Sequence, residues 1–252
     1  METLFIGKNI IFLPETGSTN SYATDLLKNV NLPEGTVVHT MNQTKGRGQR
    51  DTSWNAEPQR NLTFSVILKP TFLPIKNQFF LYQVIALACY DAMAEIIDSS
   101  QFDIKIKWPN DILVNMRKIA GILIENTIHN NQIVWSVVGI GINVNQQVFG
   151  DRVRATSLRQ LSGKEYDVKH VLEIVCRQLE KHYFTLLNLK YSVIAENYLQ
   201  HLYGLNQYLD FEIQGTVRSL QVKGLSAGGL LVLQEKSGKE MEVDVKEIKW
   251  LY

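Results

Sequence analysis

Between Ile104 and Val144 the chain reads as one strand after another, each joined to the next by a turn too short to hold a crossover helix. Ile104-Lys105-Ile106-Lys107-Trp108 alternates like a half-buried strand. Ile112 to Val114 and Ile119 to Glu125 flank a turn at Asn115-Met116, and Ile133 to Val144 follows a turn at Asn130-Asn131. Parallel strands need a connection of about a dozen residues or more, so this stretch commits the chain to an antiparallel sheet. Ile10 to Leu13, Thr36 to Thr40 and Leu62 to Leu68 read as further strands. Ser18-Thr19 caps a short helix through Leu27, and Phe79 to Ile97 reads as a long buried helix. Val168 to Leu189 and Ser192 to Leu202 carry helical periodicity expected to cover one side of the sheet. The predicted fold class is α+β, a mixed, largely antiparallel sheet flanked by helices.

After Gly204 the pattern changes. Phe211 to Val217, Ser219 to Leu225, Leu230 to Gln234 and Glu240 to Val245 are short strands separated by Gly215, Gly228-Gly229 and Ser237-Gly238, which predicts a small β-barrel. The expected organisation is one main domain over residues 1–205 and the barrel over 206–252. Twenty-six Lys+Arg against 25 Asp+Glu leave a formal charge of +1, too little to draw nucleic acid or acidic lipid, so any anion site must be local. The uncharged apolar run Phe79 to Tyr90 contains Gln83 and falls short of the roughly 20 residues a bilayer crossing needs. Glu2 stands where an export signal would be positive. Cys89 and Cys176 lie far apart inside helical patterns, without the spacing of a redox or zinc pair. They read as buried thiols of a cytoplasmic protein, and no metal centre is expected.

Three segments carry candidate chemistry. Gln43-Thr44-Lys45-Gly46-Arg47-Gly48-Gln49-Arg50-Asp51-Thr52-Ser53-Trp54 is polar and basic between two strands. Its glycines would let backbone N–H groups converge on an oxyanion, while Lys45, Arg47 and Arg50 supply charge. A flexible surface loop would carry the same residues. Lys107-Trp108-Pro109-Asn110-Asp111 ends a strand in a turn, and Asp111 could orient a metal-bound water or an incoming amine, or simply face solvent. Eleven positions after Lys107, Lys118 enters an otherwise apolar strand that also holds Gly121, and there it points either to a cleft or to solvent. Finally, Gly139-Ile140-Gly141-Ile142-Asn143 places two glycines inside a greasy strand, either a bulge or a surface against which something flat lies.

These blocks, with Gly17-Ser18-Thr19-Asn20 ahead of them, follow one another in an order that closely resembles the biotin–protein ligases, over nearly the whole chain. The resemblance implies a catalytic domain of the class II aminoacyl-tRNA synthetase/biotin ligase type followed by an SH3-like barrel. It implies an ATP-dependent ligase that forms biotinyl-5′-AMP and passes the biotinyl group to a lysine of a biotin carboxyl carrier protein, with Mg²⁺ accompanying ATP. By the same resemblance Ser18, Thr19, Asn20, Gln43, Gly46, Arg47, Gly48, Lys118 and Gly121 would hold biotin. Arg47, Arg50, Trp54, Lys118 and Asn143 would hold ATP or the adenylate, and Lys118, Arg47 and Asp111 would be catalytic. The reading requires Arg47 and Lys118 to converge on one pocket, under a loop that orders over the adenylate.

The family loop often reads Gly-Arg-Gly-Arg-Arg-Gly, whereas Gln49 and Asp51 stand at its fourth and sixth positions here. A phosphate contact made by an arginine at the fourth position would pass to Arg50, Lys45 or Lys118. Only 16 residues precede Gly17, so no DNA-binding repressor domain is expected. An exposed sheet edge leaves a homodimer open. The alternatives are a lipoate or octanoyl ligase of the same superfamily, whose Gly-Gly-Gly block is missing, and a non-catalytic biotin or adenylate sensor. A nucleic-acid-binding protein is disfavoured by the near-zero charge.

Overall fold

The computed structural model describes residues 2–49, 52–150 and 154–251. The chain begins β1 (Ile10–Thr16), α1 (Thr19–Asn29), β2 (Val37–Gln43), β3 (Leu62–Leu68) and α2 (Phe79–Ile96). It continues through β4 (Ile104–Lys107), β5 (Asp111–Val114), β6 (Arg117–His129) and β7 (Gln132–Ile142), then α3 (Leu158–Ser162), α4 (Val168–Leu187) and α5 (Tyr191–Gln200). The last part is β8 (Tyr208–Ile213), β9 (Thr216–Leu225), β10 (Leu231–Gln234), β11 (Glu240–Val243) and β12 (Ile248–Leu251). The first seven strands form one sheet in the order β1-β2-β3-β7-β6-β5-β4, antiparallel except for the β1/β2 pair. That is the mixed, largely antiparallel α+β architecture expected.

Strand periodicity gives this sheet two different faces. Phe64 and Val66 of β3, Ile122 and Ile124 of β6, and Val138 and Ile140 of β7 point to one side, into the main core with α2 and α4. Ile67 and Val137 point to the other, where α1 brings Ala23 and Leu26. The expectation that α4 and α5 would cover the sheet is corrected: α2 lies on it, and both later helices pack mainly against α2. The run Ile75–Ile96 is long and apolar enough to cross a membrane by length and composition. In the fold it is the central core helix, with Leu81, Val84, Ile85 and Leu87 buried. Cys89 and Cys176 are buried on α2 and α4, and burial pushes each thiol up to about 12, which leaves both inert as nucleophiles.

The second sheet is antiparallel, in the order β11-β10-β9-β8-β12. Its first turn lies at Gln214-Gly215, both with positive φ, so Thr216 and Val217 belong to β9 and not to the preceding strand. β12 is a fifth strand that the sequence pattern did not reveal. The sheet is joined to the main domain through the β4–β5 turn: Trp108, 3 % exposed, donates its Nε1–H to the Gly229 carbonyl at 2.9 Å. Gly229 has φ +85°, and a Cβ there would lie 2.2 Å from the Phe79 ring, so only glycine lets the two units meet this closely.

Candidate active site

On the α1 side of the sheet the registers bring small residues into rows. Asp111 pairs with Gly121, Gly121 with Gly141 and Gly141 with Thr63. In the next row Leu123 pairs with Gly139 and Gly139 with Ser65. Gly139 and Gly141 share a face because strands alternate with period two, and so the sheet carries a floor without side chains. Above it lies a cavity of about 300 Å³ lined by, among others, Ser18, Thr19, Gln43, Arg47, Trp54 and Lys118. Val245, from the turn between β11 and β12, also reaches its wall.

Each functional side chain arrives by a different local device. Ser18 is the N-cap of α1, in extended conformation with its hydroxyl accepting from Ser21 N–H, which places Thr19 and Asn20 in the first turn over the floor. Thr19 N–H and hydroxyl both donate to Gln43 Oε1, at 2.9 and 3.3 Å. Lys118 reaches the cavity through a β-bulge. The β5/β6 register slips between Ile112 and Leu113, Ile119 and Ala120 both enter the core, and Lys118 is turned to the opposite face. Its Nζ stands 2.6 Å from Asp111 Oδ1, in a contact whose angles fall outside those of a directed hydrogen bond. The same Nζ lies 5.6 Å from the Trp54 ring centroid.

The basic loop is a hairpin closed on itself. Arg47 and Ser53 form an antiparallel bridge, Trp54 N–H donates to Gly46 O, and Gly48 N–H donates to Thr52 O. The expectation that its glycine N–H groups converge on an oxyanion is therefore corrected for Gly48, whose N–H is already satisfied within the turn. Gly46 is required by packing: a Cβ there would meet Trp54 O at 2.2 Å and Gln43 Nε2 at 2.7 Å. From this hairpin Trp54 reaches down to the glycine floor, where its indole is the flat object that Gly141 makes room for. A Cβ at Gly141 would fall 2.3 Å from Trp54 Cε2. The indole Nε1–H is buried against that floor without a protein acceptor.

Arg47 and Lys118 converge on the one cavity, and Ser18, Thr19, Gln43, Gly48, Gly121 and Asp111 line it with them. Gly46 and Asn143, both expected in the site, stand outside the cavity wall. Asn143 is 4 % exposed and is not part of the cavity wall. Its Nδ2 donates to Thr156 O at 3.0 Å and Lys118 O at 3.4 Å, tying the end of β7 to the chain beyond, so its amide does not face a ligand. Asn20 lines the cavity, yet its Nδ2 donates to Glu125 Oε2 and Leu123 O while its Oδ1 accepts from Ser65, so no free amide donor remains. Lys45 is outside the wall, with its N–H on Gly17 O. Arg50 falls outside the described residues, and Gln49 lines the cavity. Among the described residues no group of three or more His, Cys, Asp or Glu is placed to hold a metal ion.

The sequence reading missed Thr63, Ser65 and Val245, and it left Glu125 as a strand end. Glu125 had a signal, because it has the same parity as Gly121 in β6 and so must lie on the same face. The glycine floor yields a paired expectation. Gly141→Ala would push the indole aside and cost about 1–3 kcal/mol of stability. It should speed trypsin cleavage after Arg47 several-fold. Gly121→Ala should cut at nearly the parent rate, because its Cβ meets the flexible Lys118 terminus and the Trp54 edge at 3.1–3.3 Å. Equal cutting of both variants would show that the indole does not hold the hairpin down.

Residues 12–143 match the model of the Biotin/lipoate A/B protein ligase family. Over 243 residues the chain is 31 % identical to the bifunctional ligase/repressor BirA of Bacillus spizizenii, covering 94 % of this chain and 73 % of that protein. It is 26 % identical to the biotin–[acetyl-CoA-carboxylase] ligase of Paracoccus denitrificans, covering 91 % and 95 % of the two chains. Among solved structures, the biotin protein ligase of Aquifex aeolicus in complex with biotin and ATP superimposes with a TM-score of 0.78 at 28 % identity, covering 96 % of this chain and 98 % of that one.

Proposed function

The chain belongs to the biotin/lipoate A/B protein ligase family, and from that membership we infer how its cavity works as a biotin–protein ligase. The enzyme activates biotin with ATP as biotinyl-5′-AMP and transfers the biotinyl group to a lysine of the acetyl-CoA carboxylase carrier. The observation that carries the site assignment is that one cavity wall holds both neutral hydrogen-bonding groups, from Ser18, Thr19 and Gln43, and the cations Arg47 and Lys118. A ureido ring has two N–H donors and one carbonyl and no charge, which suits hydroxyls and an amide. A carboxylate and an α-phosphate need cations.

In the first step a carboxylate oxygen of biotin attacks the α-phosphorus of ATP and pyrophosphate leaves. Arg47 and Lys118 offset the charge that builds on the phosphoryl oxygens, the electrostatic contribution that usually dominates such catalysis. Trp54 offers the adenine a ring face, and Arg50 adds charge from the same loop. Mg²⁺ fits as an ion carried by the triphosphate, because Asp111 is the one carboxylate in the described wall and it is already paired with Lys118. In the second step the carrier's lysine amine attacks the acyl carbon and AMP leaves. An amine of pKa about 10.4 is neutral in only roughly one molecule in a few thousand at pH 7, and Asp111 takes up or orients the proton.

The test is incubation with labelled biotin, ATP, Mg²⁺ and a biotin carboxyl carrier domain. Pyrophosphate release and label on one carrier lysine, both dependent on ATP, are expected. Binding of biotin without pyrophosphate release would make the protein a sensor, and transfer of lipoate or octanoate in place of biotin would move it to the other branch of the family.

A further inference from the structure

Arg47 is held from behind. Its Nη2 lies 2.7 Å from Glu125 Oε2, and the same oxygen accepts from Asn20 Nδ2 at 2.8 Å. Asn20 Oδ1 accepts from the Ser65 hydroxyl at 2.6 Å, and that hydroxyl lies 2.7 Å from Thr19 Oγ1, which donates to Gln43 Oε1. The chain of contacts is closed: it leaves the basic segment at Gln43, crosses α1 and the sheet, and returns to the segment at Arg47. Gly139 is what lets it pass, since a Cβ there would lie 2.4 Å from Asn20 Oδ1. A guanidinium has five donors in a fixed plane, so a carboxylate that takes one Nη2 hydrogen fixes the plane and leaves the others for the cavity.

We propose that Glu125 is a positioning residue for the adenylation step, orienting Arg47 toward the triphosphate through its ion pair while Asn20 keeps the carboxylate in place. The inference rests on the ligase reading above. Glu125 itself stands behind Arg47 and does not line the cavity, so its loss acts on ATP through the guanidinium. Both partners are partly exposed, 45 % for the Arg47 side chain and 36 % for Glu125, which holds the expected effect to that of a well-formed exposed pair.

The experiment is steady-state pyrophosphate release by the full chain with biotin and MgATP. Glu125→Gln should raise the KM for ATP about fivefold, the equivalent of a good exposed ion pair, and leave the KM for biotin within about twofold. Glu125→Asp, which keeps the charge on a shorter arm, should recover part of the loss and carries the test if the glutamine variant does not fold. The double variant Glu125→Gln/Arg47→Ala should be no worse than Arg47→Ala alone, because the carboxylate has nothing left to orient. An unchanged KM for ATP, equal rises in both KM values, or effects that multiply in the double variant would each overturn the proposal. A parent protein that releases no pyrophosphate with biotin fails the ligase reading instead, and that result is read before any variant.

Discussion

Lys118→Met is expected to slow formation of the adenylate by about 10²–10³-fold, the usual consequence of removing one preorganised charge from the place where a phosphoryl group changes its charge distribution. Methionine keeps most of the length of the side chain without its charge, so the loss is chiefly electrostatic. The variant also leaves Asp111 without the ammonium that stands 2.6 Å away, and a bare carboxylate on the same wall repels the triphosphate. The loss in pyrophosphate release should therefore exceed the loss in acyl transfer from preformed biotinyl-5′-AMP, where the phosphoryl chemistry is already complete. A fall of less than about tenfold in pyrophosphate release, with an unaltered melting temperature, would remove Lys118 from the phosphoryl site.

Asp111→Asn separates the two half-reactions in the opposite direction. The side chain is 18 % exposed and pairs with Lys118 through Oδ1, which leaves Oδ2 as an acceptor for the incoming amine. Asparagine preserves shape and hydrogen bonding but accepts no proton, so acyl transfer from preformed biotinyl-5′-AMP to the carrier should fall about 10²-fold, while pyrophosphate release changes far less. Raising the pH should narrow the gap, because more of the attacking amine is neutral and less help is needed. If transfer from the preformed intermediate runs at the parent rate, Asp111 serves only to hold Lys118.

Much of the architecture was legible because its punctuation is local. Asn115-Met116 and Asn130-Asn131 both lie in the left-handed region that tight hairpin turns require, and asparagine announces such turns. Gln214-Gly215 adopts the same pair of conformations, but glutamine gives no such notice, and the predicted strand ran on through Val217. β12 escaped notice because four residues that include Lys249 are too short to show an alternation. Among the site residues, the glycines of β7 announced a surface for something flat. That the flat group is the protein's own Trp54, reaching down from the basic hairpin, is written nowhere near Gly141. Asn143 and Asn20 stood in the right motifs, yet their amides are consumed by backbone and side-chain partners supplied from distant parts of the chain.

The sequence by itself determined the strands and helices, which face each strand residue takes, the turn positions and the inventory of charge, since all of these follow from backbone sterics and hydrophobic period over a few neighbours. Tertiary structure decided the encounters. Arg47 meets Glu125 across 78 positions, Lys118 turns into the cavity because a register slip opposite Ile112 reverses its side, and Val245 arrives from the second sheet. Such meetings depend on how ladders align and layers close, and those are set by the packing of the whole core rather than by any single stretch of chain.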